Sequence, residues 1–409
     1  MKFRVSKNDK TLKGSIQLPG SKSITARVMI IKALCEENFN ITNYSQSEDS
    51  ITLFELINSA EPTLDCKDGG TTLRFLTAFL AIHEGSVTLT GSERMKQRPI
   101  GPLVDALRQL GAVIEYKEKE GYPPIQINGR ILQGNKIEID ASMSSQFVSA
   151  LLLIAPMLPQ GLLIKMSIDI ASKPYIELTL QVMRHFGIQH DWTQTVISIP
   201  PQKNEAKDFR VESDWSAASY YYAMAALASE VDLKLYGLNK LTFQGDSAIA
   251  KIMEKFGVQT SYIEGGVRLT KTTTEIKNLE YDFKNCPDLA QTVLFTCAAL
   301  NIPAQISGLA NLKIKETDRV EALKKELARL GVTLREIGFN WHLSVNLNLE
   351  LLHDLDFETY NDHRMAMAPV PLAVSHKSVK IQNPMVVKKS YPQFWEDIKT
   401  VGFTVEETI

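Results

Sequence analysis

Lys315-Glu-Thr-Asp-Arg319 packs two cations and two carboxylates into five residues, where the amphipathic run Val320–Leu330 begins. A helix start presents free backbone N–H groups and the positive end of the helix dipole, which suits an anionic ligand. On a helix, Lys315 and Arg319 share a face, with Glu316 beside it. A solvated, charged first turn would read the same way in isolation. The pentapeptide has company, however. Other compact polar clusters interrupt apolar sequence at Pro19–Arg27, Asp68–Arg74, Ser144–Gln146 and Asp362–Arg364.

Pro19–Arg27 joins a short strand, Ser15–Leu18, to an apolar helix expected over Val28–Leu34. Gly20, Ser21 and Lys22 at such a turn make an anion cradle or a plain helix cap. The spacing is not that of a P-loop, so binding of a nucleoside triphosphate is not supported. Asp68–Arg74 enters a helix expected over Leu73–Ile82, with two glycines that let a ligand approach the backbone and with Thr71 and Thr72 placed to cap or donate. Arg94, Lys96 and Arg98 precede a helix expected to hold Pro99 in its first turn. Ser144-Ser-Gln146 heads an uncharged helix, as an N-cap or as donors to a phosphate or a sugar. Ser172–Tyr175 turns into a helix over Ile176–Phe186. Asp288 leads the apolar run Leu289–Leu300, either as a cap or as a carboxylate of perturbed pKa suited to proton transfer. Asn361–Arg364 and Lys388–Pro392 repeat the basic turn before a helix. No spacing of His, Cys, Asp and Glu suggests a metal site. The recurring device is a basic or hydroxylic turn at a helix N-terminus. It implies a cleft between two lobes that holds a multiply anionic substrate pair, with one or two carboxylates for proton transfer.

The elements that must position these clusters are organised as a repeat. Leu103–Leu110 then Gly111 reads as an amphipathic helix stopped by a C-terminal glycine and followed by a strand. The pattern returns at Ile176–Phe186 with Gly187, Ser247–Phe256 with Gly257, Val320–Leu330 with Gly331 and Phe394–Val401 with Gly402. Second strands are expected at Ile125–Ile127, Val196–Ile199, Val267–Thr270 and Trp341–Val345. This is an α/β protein built from copies of one strand–helix–hairpin unit. The polar, proline-bearing run Pro200–Asp208 is the natural lobe boundary, with a hinge just after it near Val211–Trp215.

At 409 residues the chain is long enough for two domains of roughly 200 residues. A net charge of −2 and a pI near 6.4 exclude the basic excess of a nucleic-acid or membrane-surface protein, so any anion site must be local. Cys35, Cys66, Cys286 and Cys297 form no CxxC pair and read as reduced core cysteines of a cytoplasmic protein. The uncharged span Ala141–Ile164 contains Ser144, Ser145, Gln146, Pro156, Pro159 and Gln160, and so reads as a buried helix running into a turn and strand rather than a membrane span.

Taken in order, LPGSKSITAR, RPI, SSQF, SKPYIE, QGD, PD, KETDR, NDHRMAM and KSYP, from Leu18 to Trp395, resemble the 5-enolpyruvylshikimate-3-phosphate synthase family. The resemblance implies a two-lobed enolpyruvyl transferase fold: each lobe has three βαβαββ units related by pseudo-threefold symmetry, an inside-out α/β barrel. It implies a first lobe over 19–212, on the shikimate 3-phosphate side, and a second over 1–18 plus 213–409, on the side of phosphoenolpyruvate and the catalytic carboxylates. It also implies transfer of the enolpyruvyl group of phosphoenolpyruvate to the 5-hydroxyl of shikimate 3-phosphate, in chorismate biosynthesis. Lys22, Ser23 and Arg27 would contact shikimate 3-phosphate, as would Ser144, Ser145, Gln146, Ser172 and Tyr175; Asp288, Asn311 and Lys315 would meet its hydroxyls. Arg98, Arg319, Arg364 and Lys389 would clamp phosphoenolpyruvate, and Gly70 would let the backbone approach its phosphate. Asp288, Glu316 and Lys22 are the candidates for proton transfer. The implied partners are these two small molecules alone, with no nucleic acid, membrane, metal or cofactor, acting on a monomer.

Two departures accompany the resemblance. Asp68 stands where the family often has Asn, and an aspartate near a phosphate is unfavourable unless turned away or paired. Phe75 stands where it usually has Pro. The related enolpyruvyl transferase acting on UDP-N-acetylglucosamine carries a reactive cysteine in its active-site loop, and the corresponding region Thr90–Arg98 has none. A non-catalytic phosphosugar-binding relative is the remaining alternative, and the presence of Asp288, Glu316 and Arg98 counts against it.

Overall fold

A computed structural model of the chain describes residues 1–345 and 355–408. They form two compact units, one of residues 21–211 and one of residues 1–20 together with the chain from Glu212 onward. Each unit encloses its own apolar core.

The unit of residues 21–211 contains six helices: α1 (Lys22–Leu34), α2 (Glu48–Ile57), α3 (Gly70–Ala81), α4 (Gly101–Gln109), α5 (Ser145–Ile154) and α6 (Lys173–His185). Thr63–Asp65 and Gly85–Thr90 pair in parallel around α3; Ile125–Gly129 then runs antiparallel to Gly85–Thr90, and Val113–Tyr116 antiparallel to Ile125–Gly129. The same order recurs in Lys136–Ile139, Leu162–Met166, Val196–Ile199 and Asp191–Thr193. A third copy is reduced to one short parallel pair, Ile41–Thr42 with Phe209–Arg210.

The other unit adds α7 (Trp215–Leu227), α8 (Ala248–Glu254), α9 (Ala290–Ala299), α10 (Arg319–Ala328), α11 (His363–Met367) and α12 (Phe394–Thr400). Among the described residues, three four-stranded sheets of this unit repeat the pattern. In the first, Thr11–Gln17 pairs in parallel with Glu230–Tyr236, although the whole of residues 21–211 lies between them in sequence. In the last, the N-terminal strand Lys2–Ser6 takes the third place, antiparallel to both Val379–Gln382 and Thr404–Thr408.

Odd- and even-numbered helices have different jobs, and composition says why. α5, α7 and α9 contain no charged residue and are buried almost throughout, so each is surrounded by core. Even-numbered helices bury one stripe only; α4, for example, buries Leu103, Val104, Ala106 and Leu107. Each of the five glycines after them adopts positive φ: Gly111 98°, Gly187 85°, Gly257 80°, Gly331 74° and Gly402 92°. The N–H groups of Ala112, Ile188, Val332 and Phe403 reach back to the carbonyls of Leu107, Met183, Leu327 and Ile398, closing the helix ends in a form that a Cβ at the preceding position would strain.

Several boundaries differ from the sequence expectation. α1 begins at Lys22 rather than Val28, so Lys22, Ser23 and Arg27 all lie on it. Pro99 precedes α4, whose early proline is Pro102. Gly69, not a threonine, occupies the N-cap of α3. The strand expected directly after Gly187 starts at Asp191. Lys315 and Glu316 are not on a helix: α10 starts at Arg319 and is capped by the Asp318 carboxylate, which accepts from the N–H groups of Val320 and Glu321. The uncharged span resolves into α5, a short 3-10 turn and the strand Leu162–Met166, and no described helix is long and apolar enough to cross a membrane.

Candidate active site

In residues 21–211 the expected ligands gather at helix starts joined by hydrogen bonds. Lys22, in the first turn of α1, pairs with Asp49 in the first turn of α2 at 2.8 Å. The Asp49 carbonyl accepts from Thr72 Oγ1 on α3 at 3.3 Å, so Thr72 donates rather than caps. Ser144 caps α5 by accepting from the Gln146 N–H, and the Gln146 amide donates to Thr71 Oγ1 of α3 at 3.1 Å. Ser172, at the start of α6, is left-handed at φ 51°.

Arg27, expected to contact shikimate 3-phosphate, is held within the unit by protein groups. Only 2% exposed, it donates to the carbonyls of Ser23 and Tyr175 and to the hydroxyls of Ser149 and Thr179 at 2.7–3.2 Å. Burial pulls its guanidinium down to about 10, so it stays charged at neutral pH, bracing α1 against α5 and α6. Gly70 is bare for a specific reason: a Cβ there would stand 2.5 Å from Nη2 of Arg98. Arg98 is 5% exposed and also donates to the Asp68 carbonyl at 3.3 Å. The Asp68 carboxylate takes the Ser92 hydroxyl.

In the other unit Arg319 is the centre. It is 1% exposed and donates from Nε to Asp362 at 2.7 Å, from Nη1 to Asp288 at 2.8 Å and from Nη2 to Glu316 at 2.7 Å. Arg364 Nη2 reaches the other oxygen of Asp288 at 3.0 Å, and Lys315 Nζ lies 3.7 Å from Asp288. Asp288 belongs to a 3-10 turn ahead of α9 and makes no cap to that helix, so of its two sequence readings the charged one describes its position. Burial would push its carboxyl up; Arg364, Lys315 and Arg319 overcome this and hold it well below the usual carboxylate range. Asn311 lies in a 3-10 turn, half-buried, and Lys389 Nζ donates to the Asn361 carbonyl at 2.8 Å.

Three participants escaped the sequence reading. Asp362, fully buried, belongs to a motif noticed for its basic pair. Ser216 accepts from Arg364 Nη2 at 3.3 Å and donates its hydroxyl hydrogen bond to Asp246, whose second oxygen is buried without a hydrogen-bond partner. Asp246 closes the QGD motif, and that motif was the available signal. Burial, reinforced by Asp288, pushes Asp246 up to about 6.

That shift gives a stability prediction. The folded state binds this proton more tightly than an unfolded chain does, so the resulting stabilisation is complete below about pH 4 and is lost as pH rises through about 6. Asp246→Asn removes the titration. Relative to wild type, the variant should gain about 3 kcal/mol between pH 4 and pH 7.5, whatever the offset between them. Urea denaturation across that range measures it; a difference independent of pH would refute the burial argument.

Comparison with known proteins identifies the frame that carries these two sets of groups. The EPSP synthase (3-phosphoshikimate 1-carboxyvinyltransferase) family model matches residues 6–60 and 51–398. A 3-phosphoshikimate 1-carboxyvinyltransferase of Bacteroides fragilis is 45% identical over 396 residues, 97% of each chain. One from Vibrio cholerae is 35% identical over 414 residues, covering 94% of this chain and 96% of that one. An EPSP synthase structure from Acinetobacter baumannii shares the fold at a TM-score of 0.77, with 19% identity over 99% of this chain and 100% of the other. Matched by the family model along nearly its whole length and by close relatives end to end, the chain belongs to the EPSP synthase family.

Proposed function

We propose that the protein transfers the enolpyruvyl group of phosphoenolpyruvate to the 5-hydroxyl of shikimate 3-phosphate and releases inorganic phosphate, a step of chorismate biosynthesis. The observation that carries this reading, beside the family membership, is a nearly buried carboxylate, Asp288, held ionised among Arg319, Arg364 and Lys315. Such a group suits proton transfer next to bound anions.

In this reading Arg98, Arg319, Arg364 and Lys389 take the carboxylate and phosphate of phosphoenolpyruvate, the guanidinium forks matching their paired oxygens. Lys22, Ser23, Ser144, Ser145, Gln146, Ser172 and Tyr175 take shikimate 3-phosphate, with Arg27 acting largely through the helices it braces. Asp288, Asn311 and Lys315 meet the sugar hydroxyls. The methylene carbon of phosphoenolpyruvate gains a proton while the 5-oxygen bonds to C2 and gives up its own. The tetrahedral intermediate then loses phosphate from C2 and a proton from the new methyl group, restoring the double bond. Asp288, Glu316 and Lys22 are the groups assigned to these transfers. Four free thiols, three of them buried, support a cytoplasmic location, and the chain is taken to act as a monomer.

The test is phosphate release from phosphoenolpyruvate plus shikimate 3-phosphate. Release that needs both substrates supports the proposal. Release only with UDP-N-acetylglucosamine in place of shikimate 3-phosphate overturns the substrate, and release with neither overturns the activity. Within this reading Gly70→Ala should displace the Arg98 guanidinium, which has little space to retreat. KM for phosphoenolpyruvate should rise by roughly 5- to 20-fold while that for shikimate 3-phosphate stays within about twofold, the scale of one weakened charged hydrogen bond. Equal changes in both would show that the methyl group disturbs the fold instead.

A further inference from the structure

Helix α10 grips the segment Leu355–Arg364 at two points, and only the first belongs to the anion site. At its start, Arg319 holds Asp362. Seven residues on, along the same face, Glu326 is fully buried. One of its oxygens accepts from the Tyr360 hydroxyl at 2.6 Å; the other accepts from the Glu358 N–H at 3.1 Å and from Arg329 Nε at 2.8 Å. Seating a carboxylate there is costly unless every donor is in place, and here two of the three donors, the Tyr360 hydroxyl and the Glu358 N–H, come from the segment leading into Asp362.

That segment needs holding. Tyr360 and Asn361 are both left-handed, at φ 51° and 55°. Asn tolerates this conformation; a tyrosine adopts it only where its surroundings impose it. The turn they make delivers three groups at once. Asp362 caps α11 and orients Arg319, Arg364 follows in the first turn of α11, and the Asn361 carbonyl accepts from Lys389. The register of Arg319, Arg364 and Lys389 is therefore fixed by one strained turn.

We propose that Glu326, through the Tyr360 hydroxyl and the Glu358 N–H, is a positioning residue for this three-cation anion clamp. The proposal takes the assignment of the clamp to phosphoenolpyruvate from the reading above. Glu326 touches no substrate; it holds the turn in the conformation that spaces the cations for one ligand's charges. Relaxation of the turn moves Arg364 and the Asn361 carbonyl together, and a misplacement of about 1 Å at such donors is felt strongly.

Tyr360→Phe is the sharpest test, because it removes one hydroxyl and leaves the ring packed; Glu326→Gln is the second. Steady-state turnover is measured with each substrate varied, and the inorganic phosphate affinity of wild type and variants is measured by calorimetry. Tyr360→Phe should raise KM for phosphoenolpyruvate by roughly tenfold and weaken phosphate binding in parallel, with KM for shikimate 3-phosphate within about twofold. Glu326→Gln keeps one acceptor oxygen and should fall between wild type and Glu326→Ala. A merely structural role predicts otherwise: fewer active molecules, hence lower kcat at unchanged KM and unchanged phosphate affinity per folded molecule. That pattern, or no change at all, overturns the proposal. If the wild-type protein releases no phosphate from the two substrates, the assigned reaction fails by itself. The calorimetric comparison then decides the clamp: weaker phosphate binding in Tyr360→Phe supports it, and equal binding overturns it.

Discussion

Arg319→Met is expected to abolish turnover and to lower the free energy of unfolding by about 3–5 kcal/mol. The guanidinium divides its donors among Asp288, Glu316 and Asp362 and is itself 1% exposed. Replacing it with an apolar chain of similar length fills the space and leaves the carboxylates. Asp362, fully buried, loses its bidentate cation and keeps its cap to α11, so an under-compensated buried charge remains. This is the costly case, removal of one partner, and it differs from exchange of a whole ion pair for apolar side chains. Arg319→Lys should recover little, because a single ammonium cannot address three carboxylates in the plane of the fork. Arg268→Ala provides the contrast. Its bidentate contact with Asp232, at 2.8 and 3.1 Å, lies at the surface, where water and salt screen it, and should contribute little to stability. Urea denaturation of the three variants decides it. An Arg319→Met loss no larger than that of Arg268→Ala would mean that the buried network relaxes or hydrates at little cost.

The same arginine shows how far residue order carries and where it stops. Its cluster was conspicuous because two cations and two carboxylates in five residues are unusual ahead of an apolar run. Helical spacing does not describe Lys315 and Glu316, which precede the helix. The correcting signal was present: Asp318 and Glu321 have the spacing of a capping pair, which puts the helix start at Arg319. The five C-terminal glycines were legible for the opposite reason. A left-handed residue at a helix end is a local demand, and glycine meets it with no contribution from distant sequence. What could not be read is whatever depends on which helix starts meet. Arg27 bracing α5 and α6, Asp246 reaching Arg364 through Ser216, and Glu326 holding Tyr360 each join residues 30 to 150 positions apart. Local motifs mark Arg27 and Asp246 but not the partners they reach, and nothing local marks Glu326.

Asp288→Asn is expected to cut kcat by a factor on the order of 10²–10⁴, with the fold intact, if Asp288 moves a proton in the assigned reaction. The substitution is nearly isosteric. The amide oxygen still accepts from one guanidinium, so the loss registers charge and basicity more than shape. The electrostatics around Asp288 sharpen the expectation. With Arg319, Arg364 and Lys315 on it, its carboxyl is held so low that it is ionised at any working pH and is a weak base. An anionic substrate that draws Arg364 and Lys315 toward its own oxygens would relieve that suppression and raise the basicity of Asp288 as the complex forms. The wild-type acid limb should therefore not report Asp288 in the free enzyme, and the fall in kcat for Asp288→Asn should be uniform between about pH 5 and 9. Arg364→Met should leave Asp288 more basic yet fail through weak substrate binding, raising KM for phosphoenolpyruvate far more than it lowers kcat. A fall below tenfold in Asp288→Asn, or one that recovers at high pH, would move the proton-transfer role to Glu316 or Lys22. Asp288 would then serve only to space the cations around it.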